Sequence, residues 1–214
     1  MMDRRYSLAD RIIAQLDIGV QSLFGHPLGT GRPNPANGLP EPELNTKERR
    51  EAARLMRVNH CGEICAQALY QGQAITARDP TLHRALERAA AEEKDHLLWC
   101  QQRLVQLDSR ASYLDPLFYV GSLGIGALAG ATGDRWSLGF LAQTEEQVVQ
   151  HLSKHLQRLP RRDEPSRAIV EQMKVDEGGH AIAAGEAGAA RLPRPLRQLM
   201  RLSSRLMTGS TYWI

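Results

Sequence analysis

Four glutamates and two histidines stand at intervals suited to holding metal. Glu93 and His96 form the stretch EKDH, and Glu177 and His180 form EGGH, so an ExxH pair occurs twice. On a helix, residues three apart project from the same side, so each pair offers one carboxylate and one imidazole to one point. Each pair is preceded by a further glutamate: Glu63 lies thirty residues before Glu93, and Glu145 thirty-two residues before Glu177. This order with nearly repeated spacing reads as an internal duplication of a helix hairpin. Four carboxylates balance the charge of two divalent cations, and coordination offsets the cost of taking both out of water. Oxygen and imidazole donors together suit iron, and fewer than six protein ligands per metal leave positions for dioxygen. The arrangement is that of a di-iron or di-manganese carboxylate centre in a helix bundle.

Such a centre requires the six residues to face inward, and the apolar periodicity says that they do. Glu145 shares a helical face with Leu138, Leu141, Val148, Val149 and Leu152, whereas Glu146 falls with Gln143, Gln150 and Ser153. Glu93 and His96 lie with Leu86, Ala89, Ala90, Leu97 and Cys100; here the face alone separates Glu93 from Glu92 weakly, and the ExxH spacing decides. Glu177 and His180 lie with Val170, Met173, Ala181 and Ala184, and Glu63 with Met56, Ala66, Gln67 and Tyr70. One ExxH alone would be a chance match on a solvated face. Two on apolar stripes, each following an inward glutamate, are not.

The elements that carry these residues are four long helices, expected from Thr46 to about Ala77, Thr81 to about Asp108, beyond Asp134 to before Pro160, and about Arg167 to Ala190. Thr46 and Thr81 read as their openings. Gly178 and Gly179, between Glu177 and His180, would ordinarily end a helix at roughly 1 kcal/mol each relative to alanine; the ligand pair requires the helix to continue. Residues 1–45 form an N-terminal extension: an amphipathic helix from Ser7 to Phe24, with Leu8, Ile12, Ile13, Leu16, Val20 and Leu23 as its stripe, then a strap rich in proline and glycine. Residues 46–214 form the bundle. No sustained alternation of period two occurs, so the fold class is all-α, a four-helix bundle with added amphipathic helices at both ends.

Between Asp115 and Asp134 lies PLFYVGSLGIGALAGATG, a stretch without charge. Its glycines and polar residues argue against a full membrane span and for a helix and turn, residues 116–133, resting in the lipid interface. The small residues of GALAG equally suit a close helix contact, within the fold or with a partner. The last helix sets Arg197, Arg201 and Arg205 beside Leu196, Leu199, Leu202 and Leu206, which fits an anionic membrane surface or packing on the bundle.

The net charge of +3 comes without a basic block rich in aromatics, so no nucleic acid partner is expected. Cys61, Cys65 and Cys100 are odd in number and read as buried thiols of a reducing compartment. The N-terminus does not read as a signal peptide, and a cytoplasmic location is expected. His60, His83, His151 and His155 read as surface residues or supports of the ligands, His60 foremost because it lies one turn from Glu63. Tyr70 reads chiefly as core.

RVNHCGEICAQALYQGQ, EEKDHLLWC, WSLGFLAQTEEQVVQHL and DEGGH together resemble the demethoxyubiquinone hydroxylase family of ubiquinone biosynthesis, from about Lys47 to the closing RLMTGSTYWI. The resemblance implies a ferritin-like bundle with two ferrous ions. Glu63 would be a terminal ligand of one iron, Glu93 a bridge with His96 beside it, Glu145 a terminal ligand of the second iron, Glu177 the other bridge and His180 its histidine. It further implies hydroxylation of a polyprenylated methoxy-methyl-benzoquinol by O2, with electrons from the quinol, from NADH or from another reductant. Partners would be the quinol, the cytoplasmic face of the inner membrane by peripheral contact, and a quinone-biosynthesis protein or a second copy. The chain departs from the family pattern in its Gly178–Gly179 pair. The same ligands would also serve another ferritin-like oxygenase or peroxidase, or a bundle that only binds iron.

Overall fold

Seven helices account for most of the chain in the computed structural model, which describes residues 7–25 and 29–214. They are α1 (Leu8–Phe24), α2 (Thr46–Thr76), α3 (Pro80–Gln106), α4 (Asp115–Ala131), α5 (Asp134–Arg158), α6 (Glu164–Glu186) and α7 (Arg194–Thr211). No strand occurs among the described residues. Residues 26–28 of the strap, and the side chains of Leu8 and Ile12 in the expected apolar stripe, lie outside the described residues.

Helix starts follow local chemistry that shifts the expected boundaries. Asn45, not Thr46, caps α2: its side chain accepts from the backbone N–H groups of Lys47 and Glu48, and Glu48 bonds back to the Asn45 N–H. The third helix opens at Pro80, one residue before Thr81, since proline is tolerated where no intrahelical N–H bond is needed. Asp163 caps α6 through Ser166 N–H and Pro165 follows in the first turn, so this helix begins three residues before Arg167. It ends at Glu186 because Gly188 takes a left-handed φ of 92°.

α2 with α3 and α5 with α6 form two hairpins whose core lies in two apolar layers. One contains Leu55, Met56, Trp99, Leu104, Leu152, Ile169 and Met173; the other contains Tyr70, Leu82, Leu86, Leu138 and Ala184. On each helix the candidate ligands fall between these layers, so a polar stratum is enclosed by hydrocarbon above and below. A fully buried Arg103 anchors one end, donating to Asp163, Ser166, Gln106 and, from the strap, Glu41.

The charge-free segment forms its own helix, α4, which crosses between the hairpins and turns at Thr132 and Gly133 into α5. It packs on α2 through glycines, the close contact anticipated for GALAG. A Cβ on Gly72 would lie 2.3 Å from Leu123 O, and one on Gly126 would lie 2.3 Å from Leu69 O, so only glycine permits these backbones to meet. Its other face exposes Leu117, Val120 and Leu128, each about two-thirds accessible. No helix among the described residues is long and apolar enough to cross a membrane.

α1 meets the bundle largely through small and polar residues, with Leu23 the apolar stripe residue that packs on the core. Gly19 lies against Tyr119, Ser22 donates to Gln67 at 2.7 Å, and Gln15 accepts from Gln71. Its apolar Ile13, Leu16, Val20 and Phe24 face outward. Leu199, Leu202 and Leu206 of α7 are likewise exposed beside Arg201 and Arg205.

Candidate metal centre

All six sequence-derived ligands converge in the polar stratum. Donor atoms of Glu63, Glu93, His96 and Glu177 lie within 4.8 Å of one another, and so do those of Glu145, Glu177 and His180. The sets share Glu177, and Glu93 spans them as well, since His180 Nδ1 lies 3.3 Å from its Oε1. His96 Nδ1 lies 3.0 Å from Glu93 Oε2, 3.2 Å from Glu177 Oε1 and 3.6 Å from Glu63 Oε2. Glu93 and His96 are fully buried, and Glu63, Glu145 and Glu177 nearly so; His180 is 15% exposed.

This donor set fits a pair of cations. Glu63 Oε2, Glu93 Oε1, Glu177 Oε2 and His180 Nδ1 are buried without a hydrogen-bond partner, and all belong to the cluster. Buried polar atoms left unpaired cost roughly 1–3 kcal/mol each, a cost that coordination of hard or borderline cations removes. Glu145 over Glu146 and Glu93 over Glu92 are the choices the burial supports: Glu92 is 46% exposed and Glu146 is exposed.

Without metal, the cluster partitions protons. Burial lifts the Glu63 and Glu145 carboxyls well above the usual range, and the neighbouring charges of Glu93 and Glu177 add to this. Burial acts likewise on Glu93 and Glu177 but is outweighed: the His96 charge and hydrogen bonds from both histidines hold Glu93 down, and hydrogen bonds from His180, His96 and Glu145 hold Glu177 down against burial and the Glu93 charge. The same partners overcome burial at the imidazoles, pushing His96 well up and His180 up to about 12.

The residues around the ligands were less legible. Asp176 accepts from His96 Nε2 at 2.9 Å and from Arg32 of the strap at 2.7 Å, while its other oxygen accepts from Gln172 at 2.9 Å. His180 Nε2 meets Glu92 at 2.8 Å. Tyr70, read from sequence chiefly as core, is buried and also donates to Glu145 Oε1 at 2.5 Å. Asp176 and Glu92 each stand one residue before a ligand, yet nothing in the helical period marks them. Arg32 lies in a segment without any period at all.

Among the described residues His60 meets no ligand. Its ring points to Asp115 at the start of α4, 3.3 Å away, because its position on α2 faces the crossover helix. His155 is not a surface residue: it is 3% exposed and contacts Asn59 Oδ1 at 2.7 Å, with the His151 ring 3.9 Å from its own. Cys61, Cys65 and Cys100 are free thiols.

Comparison with known proteins agrees with this geometry. The family model described as ubiquinone biosynthesis protein COQ7 matches residues 50–211. A Nitrosococcus oceani protein named 3-demethoxyubiquinol 3-hydroxylase is 53% identical over 214 residues, covering 100% of both chains. A protein of the same name from Azotobacter vinelandii is 53% identical over 212 residues, 99% of each chain. Among solved structures, a bacterioferritin-related protein from Bacteroides fragilis, described as a dodecameric thioferritin, is similar with a TM-score of 0.55 at 15% identity, covering 64% of this chain and 84% of that one. At that identity the likeness speaks to fold, and the fold is a ferritin-like helical bundle. With a family match across most of its length and relatives similar from end to end, the chain belongs to the COQ7 family of ubiquinone biosynthesis proteins.

Proposed function

We propose that this chain is a monooxygenase that hydroxylates a polyprenylated demethoxyubiquinol with O2, using two iron ions held by Glu63, Glu93, His96, Glu145, Glu177 and His180. The observation that carries the reading is end-to-end similarity to proteins named 3-demethoxyubiquinol 3-hydroxylase. The two overlapping sets of buried donors support it. Iron held in those sets would supply the redox chemistry for dioxygen.

The protein's own part is to place and insulate. Glu93 and Glu177, each reached by both histidines, would be shared between the two cations, and Glu63 and Glu145 would each serve one donor set. The apolar layers above and below exclude water, which strengthens every charge interaction inside. The Tyr70 hydroxyl holds the Glu145 carboxylate through one oxygen. Electrons would come from the quinol, from NADH or from another reductant.

A polyprenyl quinol partitions into lipid, so the reading includes peripheral contact with the cytoplasmic face of the inner membrane. Outward Ile13, Leu16, Val20 and Phe24 of α1, Leu117, Val120 and Leu128 of α4, and the arginine-flanked leucines of α7 support such contact. They also suit a quinone-biosynthesis partner or a second copy.

Quinone profiling of cells lacking the protein tests the reading: the demethoxy precursor should accumulate. Iron-loaded protein given a quinol analogue, reductant and oxygen should yield hydroxylated product. Oxygen consumption with iron oxide formed and no product would sink the reading in favour of iron storage.

A further inference from the structure

The strap of residues 29–45 is fastened where the ligands lie. The Thr30 backbone N–H donates to Asp95 Oδ1 at 2.8 Å and its hydroxyl to Asp95 Oδ2 at 2.5 Å, one residue before His96. Gly29 passes so close that a Cβ would lie 2.1 Å from Asp95 Oδ1. Arg32 then reaches across the gap between α3 and α6, its guanidinium 5.2 Å from the centre of the Trp99 ring and 2.7 Å from Asp176 Oδ2. Farther along, Asn34 donates to Gln102 at 2.7 Å.

Asp176 is the consequential contact. Its Oδ2 accepts from both Arg32 and His96 Nε2, and Gln172 occupies Oδ1. A hydrogen bond at Nε2 fixes the ring plane and leaves Nδ1 for the carboxylates, and a metal-binding histidine depends on such a partner for its orientation and basicity. The opposite histidine is held differently. His180 leans on Glu92, which is 46% exposed and, among the described residues, has no other partner within ion-pair distance. His96 is fully buried while His180 is 15% exposed.

We propose that the strap is a working part of the metal centre: Arg32 is a positioning residue that, through Asp176, locks His96 and makes the His96 position the tighter of the two metal positions. The assignment rests on the di-iron reading above. A segment outside the four bundle helices thereby sets an inequality between two otherwise duplicated half-sites.

Anaerobic Fe(II) titration of the full-length protein tests it. Wild type should take up two equivalents in distinguishable steps. Arg32→Gln should weaken the tighter step by about 10–100-fold and leave the other unchanged. Arg32→Lys should restore part of the loss, since an ammonium keeps the charge without the planar fork. Asn34→Ala, which frees the strap from α3 away from Asp176, should leave both steps intact. In the metal-free protein, ¹⁵N shifts of the His96 ring should change in Arg32→Gln and not in Asn34→Ala.

Equal uptake by Arg32→Gln and wild type would overturn the assignment. So would equal weakening of both steps with a matching fall in Tm, or an Asn34→Ala effect as large as that of Arg32→Gln, since each marks general loosening. A wild type that takes up no iron would sink the di-iron reading itself, and this assignment with it.

Discussion

The hydroxyl of Tyr70 on α2 donates to Oε1 of Glu145 on α5 at 2.5 Å, tying the two hairpins together at the ligand layer. Both side chains are buried, and burial is the first cause that pushes both up in pKa. Tyr70→Phe keeps the packing and removes one donor from a buried carboxyl. Metal-free protein should lose about 1–2 kcal/mol in urea unfolding. Iron affinity should fall about tenfold in anaerobic titration; an unchanged affinity would mean that the tyrosine only fills space.

Glycines of this bundle divide into required and dispensable ones. A Cβ on Gly178 meets nothing within 4 Å, so Gly178→Ala should stabilise the metal-free protein by about 0.5–1 kcal/mol through backbone entropy and helix propensity. Gly126→Ala would thrust a Cβ to 2.3 Å from Leu69 O and should cost at least about 1–3 kcal/mol, because backbone cannot step aside as a side chain can. Chemical unfolding of the two variants should therefore move in opposite directions.

Metal loading should expel protons. Glu63, Glu145, His96 and His180 have raised pKa values in the metal-free cluster, whereas Glu93 and Glu177 are held low. Ligation requires the deprotonated forms, so binding divalent cations at neutral pH should release protons, that of His180 among them, and affinity should fall as pH falls. Titration in weak buffer measures the release directly. Binding without proton release would contradict the raised values.

His155 should contribute an acid sensitivity of defined sign. Burial is the first cause that pushes its pKa down, to about 2, from the 6.5 of the unfolded chain. Below pH 6.5 the unfolded state binds a proton that the folded state refuses. The stability linked to this residue is therefore present above pH 6.5 and lost as pH falls, by about 1.4 kcal/mol per unit. Unfolding free energies of wild type and His155→Gln, measured from pH 7 to 4.5, should diverge in favour of the variant as acid is added; parallel curves would refute the account.

Helical periodicity made much of this protein readable from its sequence. The spacing of three within each ExxH pair fixes two side chains to one face by covalent geometry alone, and the apolar stripes told which face was inward. All-helical architecture and the six converging side chains follow from such local regularities. GALAG also signalled its close contact, because the absence of side chains is itself a local fact.

What only the tertiary structure decided are contacts between segments distant in the chain. Arg32 meets Asp176 across 144 residues, and Tyr70 meets Glu145 across 75. No period relates such pairs; their approach depends on where whole helices and the strap are placed. The same reason turned His60 toward α4 rather than the ligands and buried His155. It also turned Ile13, Leu16, Val20 and Phe24 of α1 outward while Leu23 packs inward, since a helix shows which of its faces is apolar while its neighbours decide which face is covered. Sequence determined the donors and their spacing; the packing of the strap and α4 around the bundle decided how each donor is held.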